Sequence, residues 1–94
     1  MYFSILCYDK QNSLEKRKKL RPDHIKYISR FKKKILLVGP ILSESEEPQG
    51  SLLILDFNDR NEANQFSKND PYYLGGLFTK VEIYKFKKRY SFVL

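Results

Sequence analysis

An α+β fold with the element order β-α-β-β-α-β is predicted for this chain, and three observations predict it. Strand-like stretches, rich in β-branched, aromatic and aliphatic residues, alternate in that order with helix-like stretches. The 94 residues hold no linker, low-complexity segment or clear repeat, and suffice for one domain, 1–94, and not for two. The third strand is a nearly unbroken apolar run, which points to cover on both of its faces.

Residues 2–8, Tyr-Phe-Ser-Ile-Leu-Cys-Tyr, make the first strand, closed by the turn Asp9-Lys10-Gln11-Asn12. Ser13 is placed to cap a helix over Leu14 to Leu20, with Glu15 favourable in its first turn. Pro22 interrupts that helix and opens a second helical piece, Pro22 to Lys32, because proline suits a first helical position. The stripe of this piece is His24, Ile28 and Phe31, flanked by Ile25 and Tyr27. Ile35 to Val38 is a second strand ending at Gly39-Pro40, and the acidic stretch Ser43 to Gln49, with Pro48, is a loop. Gly50 to Phe57 is the third strand. Asp59 with Glu62 forms a variant capping box for a helix whose apolar side is Ala63 and Phe66. Asn69-Asp70-Pro71 stops that helix, and Asp70 can cap a short turn that Gly75-Gly76 ends. The last strand runs from Leu77 to about Phe86, with Val81 and Ile83 on one face and Glu82 and Tyr84 on the other; the tail Lys87 to Leu94 is left without an element. The order is the ferredoxin-like pattern, with a four-stranded antiparallel sheet. Two helices cover one sheet face. The apolar third strand favours a second sheet over the other, hence a homodimer through the open face.

Composition narrows the function classes. An apolar share of 41% and an aromatic share of 15% exclude a disordered chain. The net charge of +7 invites a nucleic-acid reading. Ten of the 18 basic residues fall in 15–34 against Glu15 and Asp23, so that segment is +8 and the remainder −1. An RNA-recognition module of this element order stacks bases on aromatics of its central strands. Here Leu52 to Leu55 stand where those rings belong and the charge sits on the helical side, which argues against nucleic acid. Ile35 to Val38 is too short a run to cross a bilayer, and no basic-then-apolar leader opens the chain. Cys7 has no internal partner and reads as a small buried hydrophobe. The expectation is a cytoplasmic protein without a membrane span. With one His and one Cys, no Walker loop, no GxGxxG and no GxSxG, neither a metal nor a cofactor is expected.

Four places could carry chemistry. His24 can exchange a proton near neutral pH, and its place after Pro22 suggests a helix N-terminus that disfavours the imidazolium; it could equally be a satisfied core histidine. Asp70 could cap a helix or orient a histidine, and sequence spacing does not decide. Arg17 and Arg21, four apart, could clamp an anionic group or form a solvated basic surface. Gly39-Pro40 ends a strand, and the glycine there also admits a ligand to backbone N–H groups.

The run Ser13-Leu14-Glu15-Lys16-Arg17, then Arg21-Pro22-Asp23-His24, resembles the N-terminal signature of the YciI-like (YCII-related) family. Gly39-Pro40, Gly50-Ser51, Asp70-Pro71-Tyr72 and Gly76-Leu77-Phe78 follow in the same order at similar spacing. Val81-Glu82-Ile83-Tyr84-Lys85-Phe86-Lys87-Lys88 resembles the family's last strand, so the likeness covers residues 1–88. The resemblance implies a dimeric α/β barrel with sheets face to face and a cleft holding a His-Asp pair, at His24 and Asp70. It implies Arg17 and Arg21 either as ligand-binding groups or as groups that support the site from behind, with Gly39, Pro40 and Tyr72 at the same substrate site. It further implies cofactor-free acid–base chemistry, of lyase or isomerase type, on a small cyclic oxygenated metabolite. Relatives include a dehydrochlorinase acting on a chlorinated hydroxyhydroquinone, and the fold resembles muconolactone isomerase. The Lys-rich helix and the tail Arg89 to Leu94 depart from the family pattern. Two other functions compete: a non-catalytic small-molecule-binding or accessory module, and a non-specific nucleic-acid binder.

Overall fold

In the computed structural model, which describes residues 1–90, four antiparallel strands form one sheet in the order β2-β3-β1-β4. The strands are β1 (Tyr2–Asp9), β2 (Ile35–Leu42), β3 (Pro48–Asp56) and β4 (Phe78–Phe86). Helix α1 (Leu14–Ser29) joins β1 to β2; α2 (Arg60–Lys68) and the one-turn α3 (Pro71–Leu74) join β3 to β4. This is the ferredoxin-like arrangement.

Strand parity sets the two faces. Phe3, Ile5 and Cys7 of β1 stand opposite Leu55, Leu53 and Ser51 of β3, and all six are buried beneath the helices. Phe57, Ala63 and Phe66 complete this core. The Phe66 ring meets Tyr27 at 5.3 Å and Phe31, edge-on, at 4.8 Å, which docks the end of α1 on α2. Each large apolar side chain so buried stabilises the fold by about 1.5–3 kcal/mol. The opposite face carries Leu6 and Tyr8 of β1, Leu52 and Ile54 of β3, Leu37 of β2, and Tyr84 and Phe86 of β4. Leu37, Tyr84 and Phe86 are exposed there, while Ile54 is buried among its neighbours.

Several boundaries differ from those expected. The helix does not break at Pro22: α1 is continuous over 16 residues. Proline removes one hydrogen bond of a helix. Here it lies on the exposed side, while Arg17 and His24, seven residues apart on one face, are buried before and after it. Packing on both sides outweighs the lost bond. The helix ends at Ser29 and not Lys32, tightened by bonds from the Arg30 and Phe31 amides to the Tyr27 and Ile28 carbonyls (3.1 and 2.9 Å). Ser13 precedes α1 but does not cap it; its hydroxyl donates to the Gln11 carbonyl at 3.2 Å. Asp59 does cap α2, accepting from the Glu62 amide at 2.9 Å. β2 does not stop at Gly39-Pro40 but continues to Leu42, since an edge strand has one unpaired side where proline costs no ladder bond. β3 correspondingly begins at Pro48, inside the expected loop. Gly50 lies so close to β1 that any Cβ there would run into the Cys7 carbonyl oxygen. Gly76, at φ 75°, supplies the left-handed residue that ends α3 and turns the chain into β4. Among the described residues no helix is long and apolar enough to cross a membrane. Of the expected tail, 91–94 lie outside the described residues.

Candidate active site

The buried stripe of α1 and the capped start of α3 bring His24 and Asp70 together. Asp70 Oδ1 accepts the Tyr72 amide at 2.9 Å and also faces His24 Nδ1 at 2.9 Å. The choice between cap and orienting carboxylate therefore does not arise, because one oxygen serves both. A carboxylate only accepts, so Nδ1 carries the proton in this contact and Nε2 is left free to take another. Both side chains are more than nine-tenths buried. His24 sits in the second half of α1, not in a first turn, so the helix-dipole argument made from Pro22 does not apply. Its ring stacks on Tyr72, with centroids 3.9 Å apart and planes at 13°.

The two arginines lie in different surroundings. Arg17 is buried, and its NH1 donates to both Asp9 carboxylate oxygens at 3.1 Å. Its NH2 donates to the Gly50 carbonyl at 2.8 Å and the Ser51 hydroxyl at 2.5 Å. Its guanidinium carbon also lies 4.7 Å from the Tyr72 ring centre. Arg17 thus ties α1 to the end of β1 and the start of β3. Arg21, one turn on, is exposed and makes no ion pair among the described residues. Burial pushes the Asp9 carboxyl above the usual carboxylate range, against the downward pull of the Arg17 charge and hydrogen bond. Burial likewise raises the Tyr72 phenol, offset in part by Arg17 and Arg21. Cys7, beneath the site, is pushed up to about 12, chiefly by burial and then by Asp70, so it is an inert thiol.

A cleft of about 300 Å³ opens between α1 and the β2 edge. Arg17, Arg21, His24, Gly39, Pro40 and Tyr72 line it, with Ile25, Ile28 and Val38 as apolar wall. Asp70 lies behind His24, away from this lining. A methyl group on Gly39 would meet nothing within 4 Å, so the backbone there is open to a ligand. Sequence reasoning missed Asp9, read as a turn residue, and assigned no role to Ser51; only the unmet donors of a buried guanidinium could have called for them. Among the described residues no three His, Cys, Asp or Glu side chains converge as a metal set.

The chain is similar to several known proteins. The profile of the YCII-related domain matches residues 1–87. Protein YciI of Escherichia coli is 31% identical over 96 residues, covering 94% of this chain and 98% of its own. Among solved structures, 5-chloro-2-hydroxyhydroquinone dehydrochlorinase (TftG) of Burkholderia phenoliruptrix, in complex with 2,5-dihydroxybenzoquinone, is similar at a TM-score of 0.87. It is 30% identical, over 93% of this chain and 94% of that one. An antibiotic biosynthesis monooxygenase, 11% identical with a TM-score of 0.53, shares the fold over 94% of this chain and 100% of its own.

Proposed function

The chain belongs to the YCII-related family, and from that premise we propose that it is a small cytoplasmic enzyme of lyase or isomerase type. Its substrate is a small cyclic oxygenated compound, and the chemistry is acid–base, without a cofactor. The observation that supports this most is the 2.9 Å contact between His24 and Asp70 at the wall of a cleft. His24 Nε2 takes a proton from substrate. Asp70 holds the imidazole through Nδ1 and stabilises the imidazolium that forms. Arg21, the cleft guanidinium without an ion pair, holds an anionic oxygen; Arg17 keeps to Asp9 and the β3 backbone and acts as scaffold. A cleft of about 300 Å³ fits a single ring. The quinone bound to TftG supports a flat oxygenated ring as the substrate class. The exposed Leu37, Tyr84 and Phe86 of the open sheet support a homodimer formed face to face.

The test uses 2,5-dihydroxybenzoquinone as probe, following exchange of its ring protons in D₂O by NMR. The expected result is acceleration over buffer of about 10²-fold or more, lost in His24→Ala while quinone binding persists. Binding by the wild-type protein without acceleration gives the cleft to the non-catalytic binding module instead.

A further inference from the structure

We propose that Tyr72 is a second catalytic group of this cleft. Its hydroxyl donates a hydrogen bond to the substrate oxygen on which negative charge builds while His24 takes the proton. The proposal rests on the acid–base reading and adds to it the group that holds the developing charge.

Tyr72 belongs to the wall of the cleft, and its phenol oxygen makes no hydrogen bond among the described residues. Every fully buried side-chain nitrogen and oxygen there has a partner. The unbonded phenol oxygen therefore keeps some solvent access, and it belongs to a residue that lines the cleft. His24 Nε2, with Nδ1 taken by Asp70, meets the same condition. The two rings are nearly parallel with centroids 3.9 Å apart, so both polar groups are close enough to serve one small molecule in the cleft.

The ring is also held. The Tyr72 amide is bonded to Asp70, and its carbonyl accepts the Leu77 amide at 3.0 Å. Arg17 stands 4.7 Å from the ring centre, and Phe78 meets it edge-on at 6.0 Å. A donor fixed before substrate arrives needs no reorganisation as charge develops, and such donors are the effective ones in a water-poor site. Arg17, Arg21, Asp9, Asp70 and His24 are the charged or titratable groups facing it. Burial prevails over the two guanidinium groups, so the phenol keeps its proton at neutral pH and serves as donor, not base.

The step balances as an enolisation. A C–H on a saturated ring carbon next to a carbonyl breaks, and its proton goes to His24 Nε2. In the quinone probe that carbon is saturated only in the keto tautomer formed when the ring carbon is protonated, and proton loss from this tautomer is the step that exchange follows. The C–H electron pair becomes the new C=C, and the carbonyl pair moves onto oxygen, where the Tyr72 O–H meets it. Return of the proton at another carbon gives isomerisation; loss of a leaving group from the enolate gives elimination. The substrate class narrows to flat rings with an oxygen beside an exchangeable C–H. Arg21, already charged, grips a substrate anion in ground state and transition state alike, whereas the neutral phenol acts most on charge that appears during reaction.

Tyr72→Phe tests this, because it keeps the stack on His24 and removes only the hydroxyl. In the quinone exchange assay kcat is expected to fall about 10- to 100-fold with KM within about threefold of wild type. 3-Fluorotyrosine at position 72, a stronger acid of nearly the same shape, is expected to move the alkaline limb of the kcat profile to lower pH, which a purely structural role would not do. Wild-type kcat in Tyr72→Phe, or a rise in KM alone, overturns the assignment and leaves the His24 reading standing. Absence of exchange by the wild-type protein overturns both.

Discussion

Replacing Arg17 by Met is expected to cost about 3–5 kcal/mol of stability, the range for breaking a buried pair by deleting one partner. The side chains of Arg17 and Asp9 are 8% and 5% exposed and meet at 3.1 Å. At that distance and an effective dielectric of about 20, their attraction is about 5 kcal/mol. In the native pair the lost hydration of both ions offsets much of it. In Arg17→Met the attraction goes, but Asp9 recovers no hydration. The Gly50 carbonyl and the Ser51 hydroxyl lose a donor as well, at about 1–3 kcal/mol for each acceptor stranded in the interior. Domains of this kind have about 5–15 kcal/mol in all, so the variant stands near the folding threshold. Urea unfolding followed by far-UV circular dichroism measures it, since the chain has no Trp. The cost also depends on pH. Asp9 is already raised by burial, and losing Arg17 removes both effects that lower it. A carboxyl whose folded pKa exceeds its unfolded value near 3.9 favours the fold below that value and loses this contribution as pH rises through the folded pKa. Arg17→Met therefore costs more at about pH 7.5 than at about pH 5. Adding Asp9→Asn removes the stranded charge and recovers part of the loss, so the double variant is less destabilised than the sum of the singles. A cost under about 1 kcal/mol, with additive singles, refutes the claim that this pair anchors α1 to the sheet.

Two further outcomes are expected. Native protein at about pH 8 does not react with a thiol-exchange reagent, because the Cys7 thiol, ordinarily at 9.0, is pushed up to about 12; unfolding in urea exposes one reactive thiol. A raised thiol pKa favours the fold below about 9 and loses that contribution toward 12, so stability falls over that window and falls less in Cys7→Ala; rapid labelling of the native protein rules this out. In sedimentation equilibrium the chain is expected at twice 11.2 kDa, and Leu37→Glu, which puts a charge on the open face, at 11.2 kDa. A wild-type mass of 11.2 kDa removes self-pairing of that face.

Local patterns carried most of the fold. The alternation of Phe3, Ile5 and Cys7, the Asp59 cap and the Gly75-Gly76 stop depend on energies felt within a few residues, and each shows in composition and spacing. The motifs that resemble the family placed His24 and Asp70 at its paired positions, yet nothing local in either residue tells that they meet across 46 positions. The helix through Pro22 was misread for the complementary reason: a local penalty of one hydrogen bond is visible in sequence, whereas the burial on either side that outweighs it is not.

By itself, then, the sequence determined the element order, the helix-side face of the sheet and the residue types available to a site. Tertiary structure alone decided which arginine is buried against Asp9 and which is exposed. Arg17 and Arg21 have the same chemistry one turn apart, but α1 turns Arg17 inward, and a guanidinium taken out of water must find acceptors. Asp9 and Ser51 supply them from strands that only the folded sheet brings side by side, 8 and 34 residues away along the chain.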